Sequence, residues 1–133
     1  MQNTNTKIVI AAIMTNNDAV LIAQRSRPES MRGKWEFPGG KLEVGETEQA
    51  CLQRELFEEF GIRATVGDYV CSSFFTYEGN AYEMRAYWVP LFIGEIVLHE
   101  HLQTQWVPIL SLASFDILEQ DKPIVKKLTS LQK

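Results

Sequence analysis

The segment GGKLEVGETEQACLQRELFEEFGI, residues 39–62, constrains the fold more than any other part of the chain. Thr47 can cap a helix that Gly61 ends, so the spacing predicts a helix over 47–60. At about 100° per residue, Leu52, Leu56 and Phe60 share one side of it, with Phe57 at the margin. That side must be buried against a sheet, because strand-like runs lie both before and after the helix. Glu55, Glu58 and Glu59 stand at i, i+3 and i+4 on another side, where like charges repel slightly. Arg54 lies one turn before Glu58 and can orient a carboxylate without neutralising all three. An acidic helix face alone is usually just solvated. Directly upstream, however, Gly39-Gly40 offers bare backbone that can approach a ligand closely. Hard oxygen donors so arranged suit Mg²⁺ or Mn²⁺, particularly when a phosphate supplies the remaining ligands.

The flanking segments read as strands and turns. Residues 7–15 and 19–24 flank the turn signal NND and predict a hairpin of buried strands. RSRPESMRGK (25–34) reads as an exposed loop, WEF as a short strand, and PGG as a turn. Strand-like runs follow at 62–77 and 81–93, joined at Gly79-Asn80, with a last strand at 104–109. Asp121 and Pro123 open a C-terminal helix with apolar positions Ile124, Val125, Leu128 and Leu131. The pattern is α/β, a mixed β-sheet between helices, and residues 1–133 are expected to form one domain.

The net charge of −4 offers no general basic surface for a nucleic acid polymer. The apolar run IVIAAIM (8–14) is too short to span a bilayer, so no membrane association is expected. Cys51 and Cys71 lack metal-type spacing, and a reduced, cytoplasmic protein is the expectation. Cys51 lies one turn before Glu55 and reads as a small packing residue. His99 and His101 share a strand face and invite a zinc reading, but without a nearby third ligand they read as a polar loop.

From Gly40 to Ile62 the chain resembles the Nudix box: a glycine, five residues, a glutamate, seven residues, then Arg-Glu-apolar-x-Glu-Glu-x-Gly-apolar. Gly40, Glu46, Arg54, Glu55, Leu56, Glu58, Glu59, Gly61 and Ile62 fill all nine defined positions. Chance would do this at one starting point on the order of once in a billion. The resemblance implies an α/β/α sandwich and hydrolysis of a nucleoside diphosphate linked to another group, with divalent cations on the box helix.

Outside the box, WEFPGGK, Arg25, Glu100 within HEH, and D-x-P before the last helix resemble the MutT branch. Within that branch, LHEH through TQWVPILSL to DKPIV is most similar to bacterial CTP pyrophosphohydrolases. The resemblance implies a small-molecule nucleoside triphosphate as substrate, Mg²⁺ as cofactor with Mn²⁺ as substitute, and a monomer or weak dimer. It implies that Glu55, Glu58, Glu59 and the Gly39 carbonyl bind metal. Glu55 is then the first candidate for the base that activates water, and Glu100 the second candidate or a further ligand. Gly40, Glu46, Arg54 and Gly61 take structural roles, with Arg54 pairing with and aiming the box carboxylates.

Arg25 is expected at the phosphates, where its fork suits a bidentate anion, with Lys41 and Arg27 as lesser candidates. Phe37 and the backbone around Glu36 are expected at the base, although alternation in WEF equally allows Phe37 a core position. Asp121 stands where the enzymes that sanitise 8-oxoguanine nucleotides have asparagine. An ionised carboxylate only accepts hydrogen bonds, which favours the cytosine amine and hence CTP, dCTP or 5-methyl-dCTP; protonated, it reads otherwise. Asp121 is also a good helix cap. Two alternatives accompany this reading: an 8-oxo-dGTP pyrophosphatase, and a non-catalytic nucleotide sensor or RNA-binding module of the same fold.

Overall fold

The structure, a computed structural model, describes residues 6–132. Strands β1 (Lys7–Asn16) and β2 (Ala19–Arg25) form the expected hairpin, but they pair only beside the turn, at Thr15–Val20 and Asn16–Ala19. Beyond that they part. The segment 35–41 enters the opening: β3 (Trp35–Glu36) pairs with β2, the Ala12 N–H donates to the Pro38 carbonyl at 2.8 Å, and β4 (Gly39–Lys41) pairs antiparallel with β1. The glycine turn therefore lies in the fork of a split sheet.

The helix α1 (Glu48–Phe60) lies over one face of this sheet. The Thr47 hydroxyl accepts from the Ala50 N–H at 3.0 Å, and Gly61 ends the helix at φ 73°. Thr47→Ala should cost about 1 kcal/mol, the usual value of such a cap, measurable as a lower urea midpoint at unchanged m. Between α1 and the sheet lie Leu52, Leu56 and Phe60 with Ile10, Ala12 and Met14. The alternate β1 residues Ala11 and Ile13 face the other layer, with Ile124 and Leu128 of α2 (Lys122–Ser130). Both faces of β1 are covered, which is why it reads as continuously apolar.

The expected long strands are broken. The run at 62–77 divides into β5 (Arg63–Thr65) and β6 (Tyr69–Tyr77). The run at 81–93 divides into β7 (Asn80–Val89) and β8 (Leu91–Ile93), because Pro90 has no N–H for the ladder. β7 pairs parallel with β1 and antiparallel with β6, while β5 and β8 form a separate ladder. The last strand, β9 (His101–Pro108), starts three residues earlier than expected and pairs antiparallel with β2. Leu131 lies past the end of α2 and is about half exposed, so it is not among the core residues of that helix. No helix among the described residues is long and apolar enough to cross a membrane.

Candidate active site

Two adjoining hollows open at the fork of the sheet. A polar cleft of about 100 Å³ is lined by Arg25, Glu36, Gly39, Glu55, Glu59, Glu100 and His101. A larger, mainly apolar cavity of about 320 Å³ is lined by residues including Phe37, Lys41, Phe75, Tyr77, Tyr82, Met84 and Asp121. Arg25, Glu36 and Gly39 belong to both walls. A ligand with an apolar, aromatic end and an anionic end can therefore span them.

The acids of α1 are unequal. Glu59 is buried, and its Oε1 has no hydrogen-bond partner. Burial pushes its carboxyl up to about 10, and the negative charge of Glu36 and the proximity of Glu55 add to the rise. Burial also raises Glu55, which Glu59 and Arg54 partly oppose by hydrogen bonding to it. Glu58 is turned outward with half its side chain exposed and is not part of the cleft wall. The difference has a simple cause: the sheet covers one edge of the acidic face and leaves the other in water. Glu100 is exposed at the rim, its carbonyl accepting from the Ser26 hydroxyl at 2.7 Å.

Arg54 organises these groups. Its Nη1 reaches Glu55 at 2.8 Å and Glu58 at 3.2 Å, while Nε and Nη2 grip Glu46 at 3.1 and 2.8 Å. The hydrogen bonds from Arg54 hold the Glu46 carboxyl down to about 2. Gly40 lies directly over Glu55, since a Cβ there would fall 2.2 Å from its carboxyl carbon. Cys51 is buried, and burial pushes its thiol up to about 12, in keeping with a packing role.

Divalent cations fit this donor set. Among the described residues, no three His, Cys, Asp or Glu side chains converge into a complete cage. An unpartnered buried oxygen of Glu59 nevertheless stands beside Glu55 and the Gly39 backbone, with Glu100 at the rim. Such an incomplete set of hard oxygens suits a cation whose other ligands come from phosphate and water.

Asp121 is fully buried and stands at the N-cap position of α2, but its side chain makes no capping hydrogen bond there. Its Oδ2 accepts from the Phe37 N–H at 2.8 Å, while Oδ1 has no partner. Burial, reinforced by the charge of Glu36, raises its carboxyl well above the usual range. Phe37 both packs in the core and lines the cavity. Phe75 and Tyr82 stack at 5.0 Å with planes 7° apart, and the Lys41 ammonium sits 6.0 Å from the Tyr82 ring centre. Arg25 donates to Glu36 at 2.9 Å from Nη1 and to the Arg27 carbonyl at 2.9 Å from Nε.

Sequence reasoning missed the aromatic wall of β6 and β7 and the side-chain contacts of Glu36, which bonds Arg25 and His101 while its backbone pairs with β2. It also missed His101. The two histidines diverge: His99 bonds the Glu58 carbonyl at 2.8 Å, whereas His101 is buried against Glu36 at 2.9 Å. Only the pairing of β9 with β2 brings His101 opposite Arg25, and no local pattern announces that register.

The family model for the NUDIX domain matches residues 5–128. The chain is 36% identical over 124 residues to the CTP pyrophosphohydrolase of Escherichia coli, covering 93% of this chain and 92% of that protein. It is 30% identical over 132 residues to the 8-oxo-dGTP diphosphatase of the same organism, covering 94% and 97%. The solution structure of the E. coli ORF135 protein superposes with a TM-score of 0.89 at 35% identity, covering 96% of this chain and 91% of that one.

Proposed function

This chain belongs to the Nudix family of hydrolases, and from that premise we propose that it converts nucleoside triphosphates, above all CTP, dCTP or 5-methyl-dCTP, to the monophosphate and pyrophosphate. The observation that carries this reading is the shared wall of Arg25, Glu36 and Gly39 between an aromatic cavity and an acidic cleft. The base occupies the cavity beside Phe37 and the free Oδ1 of Asp121, and the phosphates run past Arg25 into the cleft.

Glu55 and Glu59, with the Gly39 carbonyl and with Glu58 and Glu100 from the rim, hold Mg²⁺ or its substitute Mn²⁺. The chemistry a bound cation supplies is charge neutralisation at the phosphate oxygens and acidification of water. Glu55 accepts the proton of the attacking water, a task helped by the burial that raises its proton affinity, with Glu100 as the second candidate. Arg54 keeps Glu55 aimed. Attack at the β-phosphorus breaks its bond to the bridging oxygen, which leaves with the monophosphate. In ¹⁸O water the label should enter pyrophosphate; label in the monophosphate would contradict this route. A panel of CTP, 5-methyl-dCTP, 8-oxo-dGTP and dGTP, assayed for Mg²⁺-dependent pyrophosphate release, tests the substrate class.

Identity does not choose between the two bases: it is 36% to the CTP pyrophosphohydrolase and 40% over 119 residues to a putative 8-oxo-dGTP diphosphatase 2 of Mycobacterium tuberculosis. The state of Asp121 supports a second reading as well. Burial raises its carboxyl well above the usual range, and in the protonated form it offers a donor beside an acceptor. That edge suits the amine and ring nitrogen of cytosine, and it also suits the mixed edge of 8-oxoguanine. As pH rises the carboxyl ionises and loses its donor, so kcat/KM should fall on the alkaline side for both nucleotides. Asp121→Asn cannot ionise. It should abolish that fall and move the preference about tenfold towards 8-oxo-dGTP, measured as the ratio of kcat/KM values across pH.

A further inference from the structure

His101 is buried in the wall between the two hollows, with its side chain 6% exposed. A bulge between Gln24 and Arg25 shifts the register so that Arg25 faces His101 across the β2–β9 ladder. The imidazole stacks on the Phe60 ring at 5.6 Å, which fixes its plane. Its Nε2 lies 2.9 Å from Glu36 Oε2, while the other oxygen of Glu36 takes Arg25 Nη1 at 2.9 Å. Because a carboxylate only accepts, the hydrogen of that contact sits on Nε2. Nδ1 then faces Glu59 Oε1 at 4.0 Å, and both atoms are buried without a hydrogen-bond partner. One ring thus sets Glu36, through Glu36 sets Arg25, and borders the buried acid of the cleft.

We propose that His101 is a positioning residue that holds Glu36 and thereby aims Arg25 at the nucleotide, an assignment that rests on the function proposed above. Without the Nε2 donor, Glu36 loses its second anchor, and the guanidinium it carries keeps only the Nε bond to the Arg27 carbonyl as a fixed contact. The ring's packing on Phe60 is a separate contribution that any flat side chain could supply.

The test is calorimetric titration of the full chain with the α,β-methylene analogue of CTP in Mg²⁺. His101→Phe keeps the ring and removes both nitrogens, and its affinity should fall about tenfold. His101→Gln can place an amide N–H where Nε2 stands and should stay within about threefold of wild type. In a Glu36→Gln background the His101→Phe loss should largely disappear, because the two residues act in series. Should the Phe variant not fold, His101→Asn, too short to reach Glu36, takes its place against His101→Gln. Wild-type affinity in the Phe variant, equal affinities in the Asn and Gln variants, or additive losses with Glu36→Gln would each overturn the assignment. A wild-type protein that binds no nucleoside triphosphate would instead remove the functional reading, and the assignment with it.

Discussion

Glu59→Gln is expected to lower kcat by about a thousandfold, the scale seen when one charge-stabilising group is removed from an active site, and at the same time to stabilise the cation-free protein. The two effects share a cause. Glu59 is buried with an unpartnered oxygen, and burial pushes its carboxyl from near 4.5 up to about 10. Between those two pH values the folded chain keeps a proton that the unfolded chain releases. Stability in chelator is therefore greatest below about pH 4.5 as far as Glu59 is concerned, and it declines as pH rises towards 10. Glutamine presents no carboxylate to desolvate, so the variant should lack this decline and exceed wild type at pH 8 by about 2 kcal/mol. Urea unfolding in chelator at pH 5 and pH 8 measures the difference. Mg²⁺ should then restore the advantage of the wild type, since a cation that binds only the folded state stabilises it. A glutamine variant that is less stable at pH 8 in chelator, or that retains wild-type kcat, would sink the account of Glu59. Glu55→Gln makes a useful contrast: its carboxyl is only partly buried and already bonded to Arg54, so activity should fall with little gain in stability.

What could be read from the chain divides along local and non-local lines. Thr47, Gly61 and the stripe of Leu52, Leu56 and Phe60 define α1 because capping and the helical period act within a few residues. The same period placed Glu55, Glu58 and Glu59 on one side, but it reports only their angles to one another. It cannot say which edge of that side the sheet covers, and so the buried Glu59 and the outward Glu58 looked alike. Pro90 marks the break between β7 and β8 and was readable in principle; continuous apolar character on both sides hid it. Asp121 had two local readings, cap and base reader. Neither reading foresaw that one oxygen of its carboxyl group crosses 84 positions to bond the Phe37 N–H, a contact that exists only once the C-terminal segment has docked. Phe75, Tyr82 and His101 belong to the same class, gathered by strand register rather than by spacing.

Gly39→Ala is expected to cost about 4 kcal/mol, enough to lower Tm by roughly 10–20 °C. The reason is the fork of the sheet. Where β4 lies against β1, a Cβ on Gly39 would sit 1.9 Å from the Ile10 carbonyl oxygen and 2.9 Å from its carbon, at a φ of 150° that disfavours any other residue. Those are backbone atoms of a central strand buried on both faces, and they cannot swing aside without parting β1 from β4. Gly40→Ala provides the control. Its Cβ would meet only the far end of the Glu55 side chain, at 2.2–2.5 Å, and that carboxylate can rotate away. The Gly40 variant should therefore hold its Tm within a few degrees yet lose about a hundredfold in kcat, because Glu55 is the displaced group. Thermal unfolding and kcat measured on the two alanine variants separate the roles: the first glycine admits the segment to the sheet, and the second leaves room for the carboxylate. Similar Tm values for both, or a larger drop at Gly40, would show that the close approach to Ile10 does not set the stability of the fork.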